Sequence, residues 1–244
     1  MKRYGLIGKK LGHSWSAQYF TNKFAQEGID AQYRLYETDA IAAWLKVEGH
    51  TLDGFNVTIP YKQTILPLLD EVDEVAQAIG AVNVVKQDGN RLIGYNTDWI
   101  GFRDAINPLL RDTDRQAVVL GRGGAAKAVR YALKQLGIDY REFGIRDIRQ
   151  RKEEYQQLQD AIAASTIIIH CTPVGMYPHI DEKPDIPYEA IQKGTIAFDC
   201  IYNPTETLFM QCCSAQGVVT QNGLSMLHQQ AEESWNIWKK RTDI

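Results

Sequence analysis

The sequence contains no apolar run long enough to span a membrane or to form the core of a signal peptide. After the first three residues the apolar stretch ends at Gly8, which is too short for either role. Positive charge is not in excess, because 27 basic residues stand against 30 acidic ones. Nothing in this balance favours binding to nucleic acid or to an anionic membrane. We therefore expect a cytoplasmic protein that binds neither.

Cysteine is scarce, and its spacing argues against two kinds of site. The four cysteines, Cys171, Cys200, Cys212 and Cys213, form no C-x-x-C pair, and the adjacent pair is poorly placed to form a disulfide. Free thiols in a reducing compartment are the simplest interpretation. The histidines also lack metal-ligand spacing, so we predict no metal site.

What is present is a pattern of alternating strands and helices. A chain of 244 residues, 44% of them hydrophobic, can bury a substantial core in one large domain or two ordinary ones. From Gln116 onward, short β-branched strands alternate with helices, as in a doubly wound parallel sheet. Earlier segments add strands, helices and a hairpin around Asp88-Gly89-Asn90. The predicted fold class is therefore α/β.

The clearest motif is the stretch Ala117–Ala132, which has the order strand, tight turn, helix. Gly121 and Gly123, followed by Ala126, fit the pattern G-x-G-x-x-G/A, and Gly124 adds a further permissive position. Glycines of this kind let the backbone amides at a helix N-terminus approach a pyrophosphate. Structural turns also contain glycine triplets, but here a strand precedes the turn and a helix follows it. We interpret the motif as a dinucleotide site.

Other polar residues remain ambiguous from local sequence. Ser14 and Ser16 precede a helix predicted over Ala17–Glu27, where Ser16 is placed to cap it and the two hydroxyls could also hold a carboxylate. Lys62 follows Pro60, which ends a strand, and a lysine there is usually solvated. Asp98 is placed to cap a helix over 99–110. Locally, the structural interpretation is favoured for each.

Taken in order, short segments along nearly the whole chain resemble the shikimate dehydrogenase family. Each segment alone is a weak signal, but chance does not account for their common order and spacing. The segments are Gly5–Gly8 with Leu11–Ser16, Asn56–Lys62, Gly80–Asn83, Gly94–Phe102, the glycine loop, Cys171–Met176, Asp199 with Tyr202–Pro204, Thr207–Leu208, and Asn222–Gly223 with Met226–Leu227 and Gln230–Ala231.

The resemblance implies a fold and an activity. It implies an N-terminal α/β substrate-binding catalytic domain over 1–98 plus 223–244, and a Rossmann-like NAD(P)-binding domain over 99–222. The C-terminal helix would pack back on the first domain, and the active site would lie in the cleft. The implied reaction is the reversible NADPH-dependent reduction of 3-dehydroshikimate to shikimate, in chorismate and aromatic amino acid biosynthesis. The implied assembly is a monomer or a homodimer.

The resemblance also assigns residue roles. Lys62 and Asp98 are the implied catalytic pair. The residues implied to surround the substrate are Ser14, Ser16, Thr58, Asn83, Tyr202 and Gln230. Those implied to bind the cofactor are Gly121, Gly123, Gly124, Ala125, Arg146, Met176 and Gly223.

The chain departs from the family pattern at two places. Ala17 replaces the proline usual after the second serine, and Ile145-Arg146-Asp147 replaces Asn-Arg-Thr at the end of the second nucleotide-domain strand. Arg146 is suited to a 2′-phosphate, whereas Asp147 would accept bonds from a free ribose hydroxyl and repel a phosphate. We predict NADP from the arginine and the family's usual preference, with NAD as the alternative.

Two other functions remain open from sequence. One is an NAD-dependent dehydrogenase of quinate or shikimate, because small changes around Ser14, Ser16 and Thr58 could accommodate an extra hydroxyl. The other is a dinucleotide-binding sensor that has lost catalysis. The presence of both Lys62 and Asp98 argues against the sensor.

Overall fold

The computed structural model describes residues 1–12 and 14–240. His13, which belongs to the serine turn, and residues 241–244 lie outside the described residues. The chain divides into two compact units. The first unit comprises Met1–Thr97 and the chain from Ala231 onward, and the second comprises Asp98–Gln230. The domain boundaries predicted from sequence were 98/99 and 222/223.

The first unit is built on a six-stranded mixed sheet in the order β2-β1-β3-β5-β6-β4. Strand β1 is parallel to β2 and β3, whereas β5 runs antiparallel to β3 and β6. The strands are β1 Lys2–Gly8, β2 Ala31–Glu37, β3 Gly54–Val57, β4 Glu71–Val72, β5 Val84–Asp88 and β6 Arg91–Tyr95. The helices are α1 Trp15–Gln26, α2 Ile41–Val47, α3 Tyr61–Thr64 and α4 Glu74–Ile79.

Apolar side chains cover both faces of this sheet. One core joins Ile41 and Leu45 of α2 to Phe55 and Val57 of β3. The other core joins Phe20 and Phe24 of α1 to Tyr4, Tyr33, Trp235 and Trp238. The two tryptophans belong to the last helix, so the predicted return of the C-terminal helix to the first domain is confirmed.

The second unit holds a five-stranded parallel sheet in the order β11-β10-β9-β7-β8. If β7 to β11 are renumbered as strands 1 to 5, this is the doubly wound order 2-1-3-4-5. The direction in which successive strands are added to the sheet reverses between strands 1 and 3. The strands are β7 Gln116–Leu120, β8 Asp139–Phe143, β9 Ile167–His170, β10 Ile196–Asp199 and β11 Val219–Gln221. The helices are α5 Asp98–Ile106, α6 Gly124–Gln135, α7 Lys152–Ala164, α8 Leu208–Ser214 and α9 Leu224–Lys239, the last of which continues past Gln230.

Helices lie on both faces of the second sheet. Phe102 of α5 and Val129 of α6 pack against Val119 and Ile169 on one face. Leu158 of α7 and Phe209 of α8 pack on the other face, against Val118 and other buried side chains. The central strands β7, β9 and β10 are therefore buried on both sides, which explains their largely apolar sequences. The predicted α/β class is confirmed.

Some local predictions were wrong. Ser16 does not cap α1, because the helix begins at Trp15 with Ser14 at the N-cap, and no side-chain capping bond forms there. The helix predicted over 99–110 begins at Asp98 and ends at Ile106, followed by a 3-10 turn. Among the described residues, no helix combines the length and the apolar character needed to cross a bilayer.

Candidate active site

The predicted substrate residues of the first unit lie in loops and at the start of α1, at one edge of its sheet. Because β1 and β3 are parallel and adjacent, Gly8 and Thr58 lie side by side just beyond the last paired residues of the ladder, Ile7 and Val57. A Cβ atom added to Gly8 would lie 2.8 Å from Cγ2 of Thr58, so the turn after β1 passes close to the loop after β3. The turn that carries Ser14 and Ser16 therefore starts beside Thr58.

A carboxylate fixes the turn that leads to the two serines. Oε1 of Glu37, at the end of β2, accepts hydrogen bonds from the backbone amides of Leu11 at 2.6 Å and Gly12 at 3.4 Å. Ser14 and Ser16 are half-buried at the N-terminus of the twelve-residue helix α1. The positive end of a helix dipole favours an anion at this position.

Lys62 belongs to the short helix α3. From the sequence, the end of the preceding strand at Pro60 and the start of a new element at Lys62 were predicted, but not that this element is a helix. The amide of Tyr61 donates to the carbonyl of Thr58 at 2.9 Å, and the amide of Val82 donates to the carbonyl of Lys62 at 2.7 Å. The backbone of Lys62 is thereby tied both to the Thr58 turn and to the residues before β5. The lysine is half-buried rather than fully solvated.

Asn83 lies at the same edge, just before β5, and is almost completely buried. Its Oδ1 accepts a hydrogen bond from the amide of Thr97 at 2.7 Å, and its Nδ2 donates to the Thr97 hydroxyl at 3.0 Å. Thr97 is the residue before Asp98. Asn83 thus fixes the backbone of Thr97, the residue that directly precedes Asp98.

Sequence reasoning missed a buried polar network that continues from this pair. Ser234 of α9 lies 3.3 Å from the Thr97 hydroxyl and accepts a hydrogen bond from Nδ2 of Asn56 at 3.0 Å. The Tyr33 hydroxyl donates to Oδ1 of Asn56 at 2.8 Å. The only sequence signal was an asparagine inside the apolar strand β3.

Asp98 opens the second unit as the first residue of α5 and is 5% exposed. Gln230 lies beside the same helix, since a Cβ atom added to Gly101 would lie 3.1 Å from the Cβ of Gln230 and 2.5 Å from the Met226 carbonyl. Only glycine at position 101 allows α9 to approach α5 this closely. The structure thus brings Gln230 next to the first turn of the helix that Asp98 begins.

The glycine loop follows β7, at the point where the sheet order reverses. Gly121 has φ +117°, and a Cβ atom there would lie 2.9 Å from Cγ2 of Thr172 and 3.2 Å from the carbonyl oxygen of Cys171. Position 121 therefore requires glycine for its conformation and for its close approach to the loop after β9. In a doubly wound sheet, ligands bind at this reversal, beyond the carboxyl ends of the strands.

Gly123 and Gly124 begin the twelve-residue helix α6. A Cβ atom added to Gly123 would meet no heavy atom within 4 Å, so open space lies beside the first turn of the helix. Backbone amides of Gly124 and Ala125 belong to this turn, whose N–H groups have no acceptor within the helix. The residues present fit a dinucleotide pyrophosphate.

Residues after β8 occupy the place where the ribose substituent of a dinucleotide is recognised. Arg146 and Asp147 are both exposed there. Asp147 has φ +51°, the only positive φ of a non-glycine residue among the described ones. Both residues flagged by the sequence therefore remain accessible at the predicted position.

Met176, Tyr202 and Gly223 follow β9, β10 and β11, at the same carboxyl edge as the glycine loop. The Tyr177 amide donates to the Asn203 carbonyl at 3.1 Å, which joins the loops that carry Met176 and Tyr202. Gly223 packs so closely on the Cys200 carbonyl that no side chain fits. Burial raises the pKa of Tyr202, so its phenol stays protonated at neutral pH and can donate a hydrogen bond.

Asp199, at the end of β10, is fully buried and holds together three segments of the second unit. Its carboxylate accepts from the Thr207 hydroxyl at 2.6 Å and from the Ile201 amide at 3.0 Å, and lies 3.1 Å from Nδ1 of His170. These bonds give Asp199 a structural role. Within residues 1–12 and 14–240, no group of His, Cys, Asp and Glu side chains is arranged to hold a metal ion.

Comparison with known proteins gives matches along the whole chain. Residues 6–85 match the family model described as the shikimate dehydrogenase substrate binding domain. A relative from Nostoc sp. named shikimate dehydrogenase (NADP(+)) is 39% identical, over 100% of this chain and 92% of its own. One of the same name from Geobacillus kaustophilus is 35% identical over 97% of this chain and 92% of its own.

Solved structures agree with the sequence matches. A chorismate mutase/shikimate 5-dehydrogenase fusion protein from Clostridium acetobutylicum has a TM-score of 0.85 and 37% identity, covering 98% of this chain and 91% of the other. A shikimate 5-dehydrogenase from Thermus thermophilus in complex with NADP(H) and shikimate has a TM-score of 0.83 and 30% identity, over 98% and 94%. A quinate dehydrogenase from Corynebacterium glutamicum in complex with NAD has a TM-score of 0.83 and 27% identity, over 98% and 93%.

Proposed function

The chain belongs to the shikimate dehydrogenase family, and on this premise we propose that it catalyses the reversible NADP-dependent reduction of 3-dehydroshikimate to shikimate. Relatives at 35% and 39% identity over almost their full length carry the name shikimate dehydrogenase (NADP(+)). This places the reaction in the formation of chorismate and the aromatic amino acids.

The observation that carries the proposal is the arrangement of polar side chains in the first unit. Ser14, Ser16, Thr58, Lys62 and Asn83 are far apart in the sequence, yet all lie in loops or at the starts of helices α1 and α3, at one edge of the six-stranded sheet. A polyhydroxylated acid needs hydroxyl and amide partners at fixed positions, because its own polar groups must be matched when they leave water. This edge supplies such groups.

In the proposed site Lys62 is the proton donor. Its ammonium donates a proton, or a charge-assisted hydrogen bond, to the ketone oxygen as the carbon is reduced. The nicotinamide supplies the hydride when the cofactor is bound. The Asp98 carboxylate accepts a hydrogen bond from a neighbouring substrate hydroxyl. In the oxidative direction the same groups act in reverse.

The remaining substrate residues have complementary chemistry. Ser14 and Ser16 lie at the N-terminus of α1, where their hydroxyls and the helix dipole favour the substrate carboxylate. Thr58, Asn83, Tyr202 and Gln230 supply hydroxyl and amide groups to the ring hydroxyls. We assign these residues to the substrate.

The second unit would hold the cofactor through its glycine loop. The backbone amides at Gly121, Gly123, Gly124 and Ala125 are assigned to the pyrophosphate, and Arg146 to the 2′-phosphate. Met176 and Gly223, on the loops after β9 and β11, are assigned to the nicotinamide. We accordingly assign most of the substrate residues to the first unit and dinucleotide binding to the second.

A second candidate is an NAD-dependent quinate or shikimate dehydrogenase, which the exposed carboxylate of Asp147 favours. A carboxylate at this position accepts hydrogen bonds from a free ribose 2′-hydroxyl. We further propose that the protein acts in the cytoplasm as a monomer or a homodimer. Sedimentation velocity at assay concentration would distinguish the two assemblies.

The test is an assay at 340 nm with the purified protein and each pairing of shikimate or quinate with NADP⁺ or NAD⁺. We expect the highest kcat/KM with shikimate and NADP⁺. A higher value with quinate and NAD⁺ would establish the second candidate instead. Binding of NADP⁺ without turnover of either acid would contradict both and identify a dinucleotide sensor.

A further inference from the structure

Arg122 occupies the variable position of the glycine loop, between Gly121 and Gly123. Its side chain is 65% exposed, so the loop does not bury it. A Cβ atom added to Gly144 would lie 3.6 Å from each of Nε, Cζ and Nη1 of Arg122. Three guanidinium atoms at one distance mean that the planar group lies with its face against Gly144.

Gly144 directly follows β8, the second strand of the parallel sheet. In doubly wound dinucleotide domains, the end of the second strand is where the ribose 2′ position is recognised. Arg122 therefore reaches from the pyrophosphate loop to the ribose end of the site. Arg151 also points here, because its Nη2 donates to the Gly144 carbonyl at 2.5 Å. Arg146 follows Gly144 by two residues.

We propose that Arg122 is a second determinant of NADP preference, holding the 2′-phosphate together with Arg146. This inference rests on the proposed function, because it concerns the cofactor of that same reaction. A guanidinium presents paired N–H donors in a plane, which match two oxygens of a phosphate. Binding through both arginines places the phosphate between two elements that β7 and β8 already hold side by side.

A neighbouring carboxylate, that of Glu142, orients the Arg122 guanidinium without accepting a hydrogen bond from it. Nε of Arg122 lies 3.6 Å from Oε1 of Glu142, which is too long for a hydrogen bond. The other oxygen of Glu142 is paired with Nη1 of Arg130. Glu142 thus keeps the Arg122 guanidinium near the sheet edge. The N–H donors of the guanidinium remain available to a phosphate.

Arg122 also bears on the choice between NADP and NAD, for which Arg146 and Asp147 give opposite indications. Arg151 is paired with Glu154 at 2.7 Å, so without Arg122 the Asp147 carboxylate would offset the charge of Arg146 and disfavour a phosphate. A second guanidinium restores a net positive charge at the end of β8. The choice of cofactor is therefore made jointly by the glycine loop and the segment after β8.

Isothermal titration of the full-length protein with NADP⁺, NAD⁺ and 2′,5′-ADP tests this assignment without any turnover. We expect Arg122→Ala to weaken binding of NADP⁺ and 2′,5′-ADP by about tenfold or more, the usual effect of losing a hydrogen bond to a charged group. Binding of NAD⁺ should change less than about twofold, because NAD⁺ lacks the phosphate. Arg122→Lys should recover part of the loss, since lysine keeps the charge without the paired donors.

Arg141→Ala is the matched control. Arg141 is an exposed arginine of β8 whose guanidinium lies over the Phe143 ring at 5.3 Å. This substitution removes the same charge from the neighbouring strand β8 and should leave the preference for NADP⁺ unchanged. Equal weakening of NADP⁺ and NAD⁺ by Arg122→Ala, or no weakening of either, would overturn the role of Arg122.

The titration separates this inference from the proposed function. If the wild type binds NADP⁺ and 2′,5′-ADP and Arg122→Ala binds them equally well, the inference fails and the dehydrogenase assignment stands. If Arg122→Ala selectively loses NADP⁺ but the wild type turns over no substrate, the inference stands and the proposed function fails. A wild type that binds none of the three ligands refutes both.

Discussion

Asn83 forms two hydrogen bonds to Thr97 through its side-chain amide, one to the backbone amide at 2.7 Å and one to the hydroxyl at 3.0 Å. This pair links the start of β5 to the residue that precedes Asp98. Because we also assign Asn83 to the substrate, we propose both a structural and a binding role for it. Its buried position makes the two bonds costly to lose.

Replacing Asn83 with alanine should lower the free energy of unfolding by about 1 to 3 kcal/mol, because the amide of Thr97 loses its side-chain acceptor in a buried site. Urea denaturation monitored by circular dichroism measures the change. The control is Asn90→Ala, in the exposed turn between β5 and β6, which should change it by less than about 0.5 kcal/mol. Equal stability of both variants would show that the Thr97 bonds contribute little.

Replacing Lys62 with alanine should lower kcat by roughly 10² to 10⁴ fold, because the proposed proton donor to the ketone oxygen is removed. Stopped-flow or steady-state measurements at 340 nm with saturating substrates report this directly. Lys46→Ala is the control, since Lys46 is an exposed lysine on α2 of the same unit. Near-normal kcat in a folded Lys62→Ala protein would remove the lysine from catalysis.

The two glycines on either side of Arg122 should respond differently to alanine. Gly121→Ala should cost about 1 to 3 kcal/mol of stability, because alanine disfavours φ +117° and its Cβ would approach Thr172. Gly123→Ala should keep its thermal midpoint, since φ is −77° and no atom lies within 4 Å of the added Cβ.

The Gly123→Ala protein should nevertheless bind NADP⁺ more weakly, by roughly tenfold, because the methyl group occupies the space beside the first turn of α6. Titration of NADPH by its fluorescence measures the affinity. Unchanged affinity for NADPH in this variant would place the pyrophosphate elsewhere.

Replacing Asp199 with alanine should destabilise the protein by about 3 kcal/mol or more, because the Ile201 amide, the Thr207 hydroxyl and His170 lose a common buried partner. Differential scanning calorimetry measures the loss. Asp181→Ala, at an exposed position in the loop after β9, should have a negligible effect. A stable Asp199→Ala protein with impaired kcat would instead indicate a functional role for Asp199.

The glycine loop and most strands could be predicted because their signals are local. The isoleucine run at 167–169 in β9 is apolar throughout since both faces of its strand are covered, and that pattern needs no partner to be recognised. The short elements α3, β4, α8 and β11 were not delimited in advance. They contain two to seven residues, too few to display a helical or strand period.

The sequence by itself determined the α/β class and the glycine loop, because glycine conformation and apolar periodicity act over a few neighbouring residues. The tertiary structure alone decided the hydrogen bond between Asn56 and Ser234, which are 178 positions apart, and the packing of Arg122 on Gly144. Such pairs form only where strand register and helix packing bring distant backbone segments within hydrogen-bond or contact distance. No local pattern encodes that distance.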